Sequence, residues 1–131
     1  MANKLMIVKV RRSDGENIND ELQWLGNSLG LFGLRDRDSS CFRIFITLVR
    51  GARRNEALSS DNIAEKLHLS RGTVVHHLTK LIGAGLVVRE KEGYLMRENR
   101  LQKVVEDIQR DMESVFAELK DVAKEIDERL G

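Results

Sequence analysis

Two of the chain's three histidines, His76 and His77, stand side by side in "SRGTVVHHLTKLIGAGLV", residues 70–87. Adjacent imidazoles can ligate a metal, act as an acid–base pair, or offer hydrogen bonds from a helix surface. On a helix, successive residues diverge by about 100°, so neighbours cannot chelate one ion. Chelation needs i,i+3 or i,i+4 spacing. Positions 72, 73, 79, 80 and 81 are Gly, Thr, Thr, Lys and Leu, none of which supplies a carboxylate or thiolate ligand. His68 falls in a turn, so no metal site and no cofactor is expected. The same lack of a local carboxylate, with no GxSxG nucleophile motif, argues against acid–base or covalent catalysis, and no small-molecule substrate is evident.

With Val74 as the origin, Leu78, Leu81, Ile82 and Gly85 fall on one apolar stripe. Gly72, Thr73, His76, Thr79, Lys80 and Gly83 lie on the other side, with Val75 at the edge. Hydroxyls, imidazole and ammonium on such a face can bond base edges or phosphates. His76 is read as a nucleic-acid contact or a solvated surface residue, and His77 as a flank residue that packs the helix. Gly83, unfavourable in a helix interior, points to close approach of another backbone.

Those residues need a frame. Ser70 is the expected N-cap, and Gly85 a left-handed stop. Upstream, "DNIAEKL" forms a short helix capped by Ser59 or Ser60, offering Ile63, Ala64 and Leu67 to a core, and "HLS" is a tight turn. Downstream, Leu86–Glu90 and Tyr94–Met96 alternate around "KEG", a β-hairpin with Gly93 at a positive φ. A helix from Asp36 or Asp38 would bury Phe42, Phe45, Ile46 and Val49. Helix, helix–turn–helix and hairpin in this order make a winged helix–turn–helix, whose second paired helix enters the DNA major groove. Arg71 begins that helix, Arg89 and Lys91 sit in the wing, and Arg50, Arg53 and Arg54 form a basic patch that reads as a phosphate anchor or a solvated loop. Glu90 and Glu92 keep the wing only weakly basic.

The segment "LSRGTVVHHLTKLIGAGLVVREKEGYLM" resembles ArsR-type winged-helix repressors, where "LS…TV.HHL..L..AGLV" precedes a short wing. The resemblance covers roughly residues 58–97. It implies DNA-contacting positions at Arg71, Thr73, Val75, His76 and Lys80, with Arg89 and Lys91 in the wing. That family's metal ligands do not carry over. "EALSSDNIA" holds no cysteine, and the last helix holds no histidine.

At 131 residues, 41% hydrophobic and 33% charged, the chain can bury a core. No run reaches the roughly 18 apolar residues of a membrane span, and residues 1–12 do not make a signal peptide. One cysteine, Cys41, fits a reducing, cytoplasmic setting. Residues 1–97 hold 16 Lys/Arg against 11 Asp/Glu, and residues 98–131 hold 6 against 10. A basic body with an acidic extension suits a body that meets a polyanion.

The expected organisation is an extension over 1–33, the winged helix over 34–97 and a dimerisation helix over 98–131. In the first part, "KLMIVKVR" (residues 4–11) reads as a strand, and a helix capped by Asn17 or Asn19 runs to about Leu31. In the last, Leu101, Val105, Ile108, Met112, Val115, Leu119, Val122 and Ile126 step by alternating fours and threes. That heptad seam predicts a homodimeric coiled coil, with a helix lying on its own domain as the alternative. The fold expected is therefore mostly α with a small β-hairpin. Its function is read as sequence-specific double-stranded DNA binding by a transcriptional regulator, with residues 71–84 as the recognition helix. The alternative is a winged-helix protein-interaction module of a transcription or chromosome-organising complex.

Overall fold

The computed structural model describes Ile7, residues 17–32 and residues 39–131. The strand expected over 4–11 and the caps expected at Asp36 or Asp38 lie outside the described residues, apart from Ile7. Among the described residues, five helices and one hairpin follow in order: α1 (Ile18–Ser28), α2 (Ser40–Arg53), α3 (Ser60–Leu67), α4 (Arg71–Gly83), β1 (Val87–Glu90), β2 (Gly93–Met96) and α5 (Leu101–Leu130). This is a winged helix–turn–helix with a helix before it and a long helix after it.

Three helix starts follow side-chain capping. Asn17 Oδ1 accepts from the Asn19 N–H at 2.8 Å, Ser59 Oγ from Asn62 at 3.0 Å and Ser70 Oγ from Thr73 at 3.1 Å. The first turn of α2 differs. It starts from Ser39 in the left-handed region, with no side-chain cap hydrogen bond among the described residues. Between α3 and α4 the turn is made by His68, which takes φ 56° and closes α3.

The core gathers Ile44, Phe45 and Leu48 of α2, Ile63 of α3, and Val74, Leu78 and Leu81 of α4. Leu86 and Val87, Met96, and Val104 and Ile108 of α5 complete it. Helix α2 is buried along Cys41, Ile44, Phe45, Leu48 and Ala52, whereas Phe42, Ile46 and Val49 are only half-buried. The expected stripe was therefore displaced around the helix. The reason is that α2 is wrapped on two sides. One face meets α3, α4 and the hairpin, and Phe42 stacks edge-on against Phe32, ring centroids 5.3 Å apart, after α1.

The hairpin pairs Val87 with Met96 through to Glu90 with Gly93. Leu58 adds a bridge on the outer edge of β2, exchanging hydrogen bonds of 2.8 and 3.1 Å with Tyr94. Gly93 takes φ 144°, and a Cβ there would stand 2.5 Å from the Leu58 carbonyl. Its glycine thus serves this close backbone bridge as well as the turn.

Helix α5 is divided. Leu101, Val104, Ile108 and Met112 pack on the domain, while Val115, Phe116, Leu119, Val122, Ile126 and Leu130 are exposed. The eight-residue seam expected for chain pairing is thus not uniform. Leu101, Ile108 and Met112 are turned to their own core, Val105 is 39% exposed, and only Val115 onward stands clear.

Candidate nucleic-acid interface

Helix α4 has one face in the core and one in solvent. Val74, Leu78 and Leu81 are at most 1% exposed, while Arg71, Gly72, Val75, His76, Thr79 and Lys80 are exposed. Thr73 and His77 are half-buried between the two. The His76 and His77 rings meet edge to face at 65°, with centroids 5.3 Å apart. Among the described residues no group of three His, Cys, Asp or Glu is placed to hold a metal ion.

Several of these side chains already have partners, which fixes what each can offer. Ser70 Oγ accepts from the Thr73 N–H and donates to Thr73 Oγ1 at 2.8 Å, leaving the Thr73 hydroxyl proton to donate. Thr79 Oγ1 donates to the Val75 carbonyl at 2.8 Å, so outward it presents lone pairs. Arg71 reaches Asp61 of α3 at 3.4 Å, both side chains being at least 70% exposed. An ion pair that open is weak and screened, so Arg71 can exchange it for a phosphate. Lys80 is the exception, because its Nζ donates to the Leu31 carbonyl at 2.6 Å, an oxygen that also accepts from Cys41 Sγ at 3.5 Å. The ammonium therefore ties α4 to the segment after α1.

The glycines of α4 also read differently in three dimensions. A Cβ on Gly72 or Gly83 would meet no atom within 4 Å. No backbone of this chain approaches Gly83, so the close approach expected there is not made within the described chain.

In the wing, Arg89 lies 5.7 Å from the centre of the Tyr94 ring, and Lys91 is exposed at the tip between Glu90 and Glu92. Arg53 and Arg54 are exposed at the end of α2. Arg53, with Arg50, borders a cavity of about 440 Å³ walled by α1, α2 and the start of α5, to which α4 contributes no residue. Arg50 and Arg53 thus border a cavity that α4 does not line.

One group escaped the sequence reading. Arg97, just after β2, donates to the Gly85 carbonyl at 3.2 Å and to Asp111 at 3.0 Å, and its Nε lies 3.3 Å from Asp107. It joins the end of α4 to the first turns of α5. Asp107 is 6% exposed and also pairs with Arg110. The hydrogen bond from Glu98, with Arg97 and Arg110 nearby, holds its carboxyl below the usual range despite burial, and the same contact holds the Glu98 carboxyl above it. The i,i+4 spacing of Asp107 and Asp111 was the available signal, but only the fold brings Arg97 to it.

Residues 46–98, about two-fifths of the chain, match the model of the MarR family. No curated protein and no solved structure matches the chain. The matched segment begins in α2 and ends just past the hairpin, so it covers the paired helices and the wing. The MarR family consists of winged-helix DNA-binding transcriptional regulators. The match supports that class of regulator and does not single out the ArsR type.

Proposed function

We propose that the protein is a homodimeric, sequence-specific regulator of transcription that binds double-stranded DNA with α4 in the major groove. The observation that carries this reading is the solvent face of α4. It is the second helix of a helix–turn–helix, anchored by a fully buried stripe, and it offers hydrogen-bonding and basic groups with no large aromatic or aliphatic side chain to bar a groove. The family match supports the same class. In this reading Arg71 and the Thr73 hydroxyl position the helix on phosphates, while His76, Thr79 and Val75 face base edges. Lys80 joins them on giving up Leu31, and Arg89 and Lys91 touch the flanking backbone. Arg53 and Arg54 serve as outlying phosphate anchors. A dimer forms through the apolar stripe that α5 leaves exposed, so two recognition helices meet half-sites about one helical turn apart, or a multiple of it.

The test is selection of bound sequences from a random DNA pool, followed by mobility shift. His76→Ala with Lys80→Ala is expected to weaken the selected site by at least about tenfold, since each base contact contributes about 1–3 kcal/mol. Unchanged affinity would remove α4 from the reading face.

A second reading, a winged-helix protein-interaction module, draws on Glu90 and Glu92 flanking the wing tip and on Lys80 being engaged within the chain. Salt dependence separates the two. Several phosphate contacts give a steep fall in affinity with salt, whereas an interaction module shows none.

A further inference from the structure

The apolar side chains of α4 divide sharply by exposure. Val74, Leu78 and Leu81 are at most 1% exposed and Ile82 is half-buried, whereas Val75 is 39% exposed. The helix gains little from that valine. A β-branched residue is a poorer helix former than alanine, and this one leaves apolar surface in water. Helical side chains lean over the preceding turn, and three residues back from Val75 stands Gly72. A Cβ on Gly72 would meet no atom within 4 Å, so the ground beside Val75 is open.

One turn further on, Thr79 Oγ1 donates its proton to the Val75 carbonyl at 2.8 Å. Toward a ligand that hydroxyl can therefore only accept. The two residues share a face at i,i+4 spacing. Arg71 and Lys80 stand on the same exposed side, and α4 itself contains no Asp or Glu. A basic face with one methyl-bearing contact and one acceptor has a specific complement in the major groove. The apolar group presented there is the thymine 5-methyl, and the donors are the amino groups of adenine N6 and cytosine N4. Guanine N7 and O6 and thymine O4 are acceptors, which Thr79 repels. We infer that Val75 and Thr79 set the sequence preference of α4, Val75 covering a thymine 5-methyl group while Thr79 accepts from the amino group of a neighbouring adenine or cytosine. This inference rests on the reading of α4 as a major-groove helix.

The test uses the full chain and the duplex recovered by selection from a random pool. Each thymine is replaced singly by deoxyuridine, which pairs identically but lacks the methyl group. One thymine per half-site should show an affinity loss of about fourfold, the effect of one methyl group removed from apolar contact. In Val75→Ala that thymine-to-uracil ratio should fall toward one, whereas Val75→Ile should keep it. Val75→Ala should also melt no lower than wild type, which separates lost contact from lost fold. Re-selection with Thr79→Val should lose the preference for adenine or cytosine beside the thymine, and Thr79→Ser should retain it. Indifference to uracil at every thymine, or a ratio unchanged in Val75→Ala, overturns the methyl contact. A preference unchanged in Thr79→Val overturns the acceptor role. Failure of the pool to yield any preferred duplex defeats the DNA-reading role of α4 itself, whereas a preferred duplex indifferent to uracil defeats only this inference.

Discussion

The ammonium of Lys80 shows why a residue's surroundings decide its role. A lysine on the solvent side of a recognition helix is an obvious DNA ligand, yet here it bonds the Leu31 carbonyl. Contact with DNA then replaces one hydrogen bond by another, and Lys80→Ala is expected to lower stability as well as affinity. Gly83 makes the converse case. With nothing within 4 Å of its missing Cβ, Gly83→Ala should stabilise the fold by about 0.5–1 kcal/mol in thermal unfolding. The same variant should bind DNA less tightly if the glycine serves an approaching phosphate backbone. Gly93→Ala should do the opposite to stability, costing about 2 kcal/mol or more, because φ 144° and the Leu58 carbonyl leave no place for a side chain. A thermal unfolding curve matching wild type would show that the Leu58–Tyr94 bridge is not formed.

At the scale of the elements, the joint between α4, the wing and α5 is held by coupled charges. Glu98 and Asp107 share a hydrogen bond, with Glu98 titrating above its ordinary range and Asp107 below. The raised group stabilises the fold while protonated, and that contribution is lost as pH rises through its folded pKa. The depressed group stabilises while ionised, and its contribution is lost as pH falls through its folded pKa. Glu98→Gln keeps a donor that cannot ionise. It should therefore melt higher than wild type at neutral pH, with the gain disappearing in mild acid where Glu98 is already protonated. A difference that is constant across pH would show that the two carboxyls do not interact. Arg97→Gln strips Asp107 and Asp111 of their shared cation and frees the Gly85 carbonyl, so it should lower the melting temperature. Because it also loosens α4 from α5, it should narrow the discrimination between half-site spacings in a mobility shift.

At the scale of the whole molecule, the division of charge along the sequence gains a geometric meaning. The basic excess of residues 1–97 includes Arg71 and Lys80 of α4 and Arg50 and Arg53 of the cavity rim, and the acidic excess of 98–131 includes the overhanging helix. Residues 46–98, the matched segment, include most of α2, the paired helices and the wing, while the parts that would set dimer geometry lie largely outside it. Sedimentation with Leu119→Glu tests that separation. Dimer formation should be lost while far-UV circular dichroism and the melting of the winged helix stay close to wild type, because Leu119 touches no core residue.

Local rules of the sequence determined the elements. Ser59 and Ser70 cap because a hydroxyl at that position satisfies an otherwise unpaired N–H, and the stripe Val74–Leu78–Leu81 fixes which face of α4 is buried. The hairpin followed from alternation around a glycine, and the exposed His76 with half-buried His77 followed from the helical angle alone. What required the tertiary structure was every choice between partners distant in the chain. Lys80 and Leu31 are 49 residues apart, Arg97 and Asp111 are 14, and Gly93 meets Leu58 only because the segment before α3 bridges to β2. The heptad seam of α5 shows the same limit. Its spacing specifies one apolar face, but whether that face meets its own domain or another copy depends on where the body ends. The body ends at Met112.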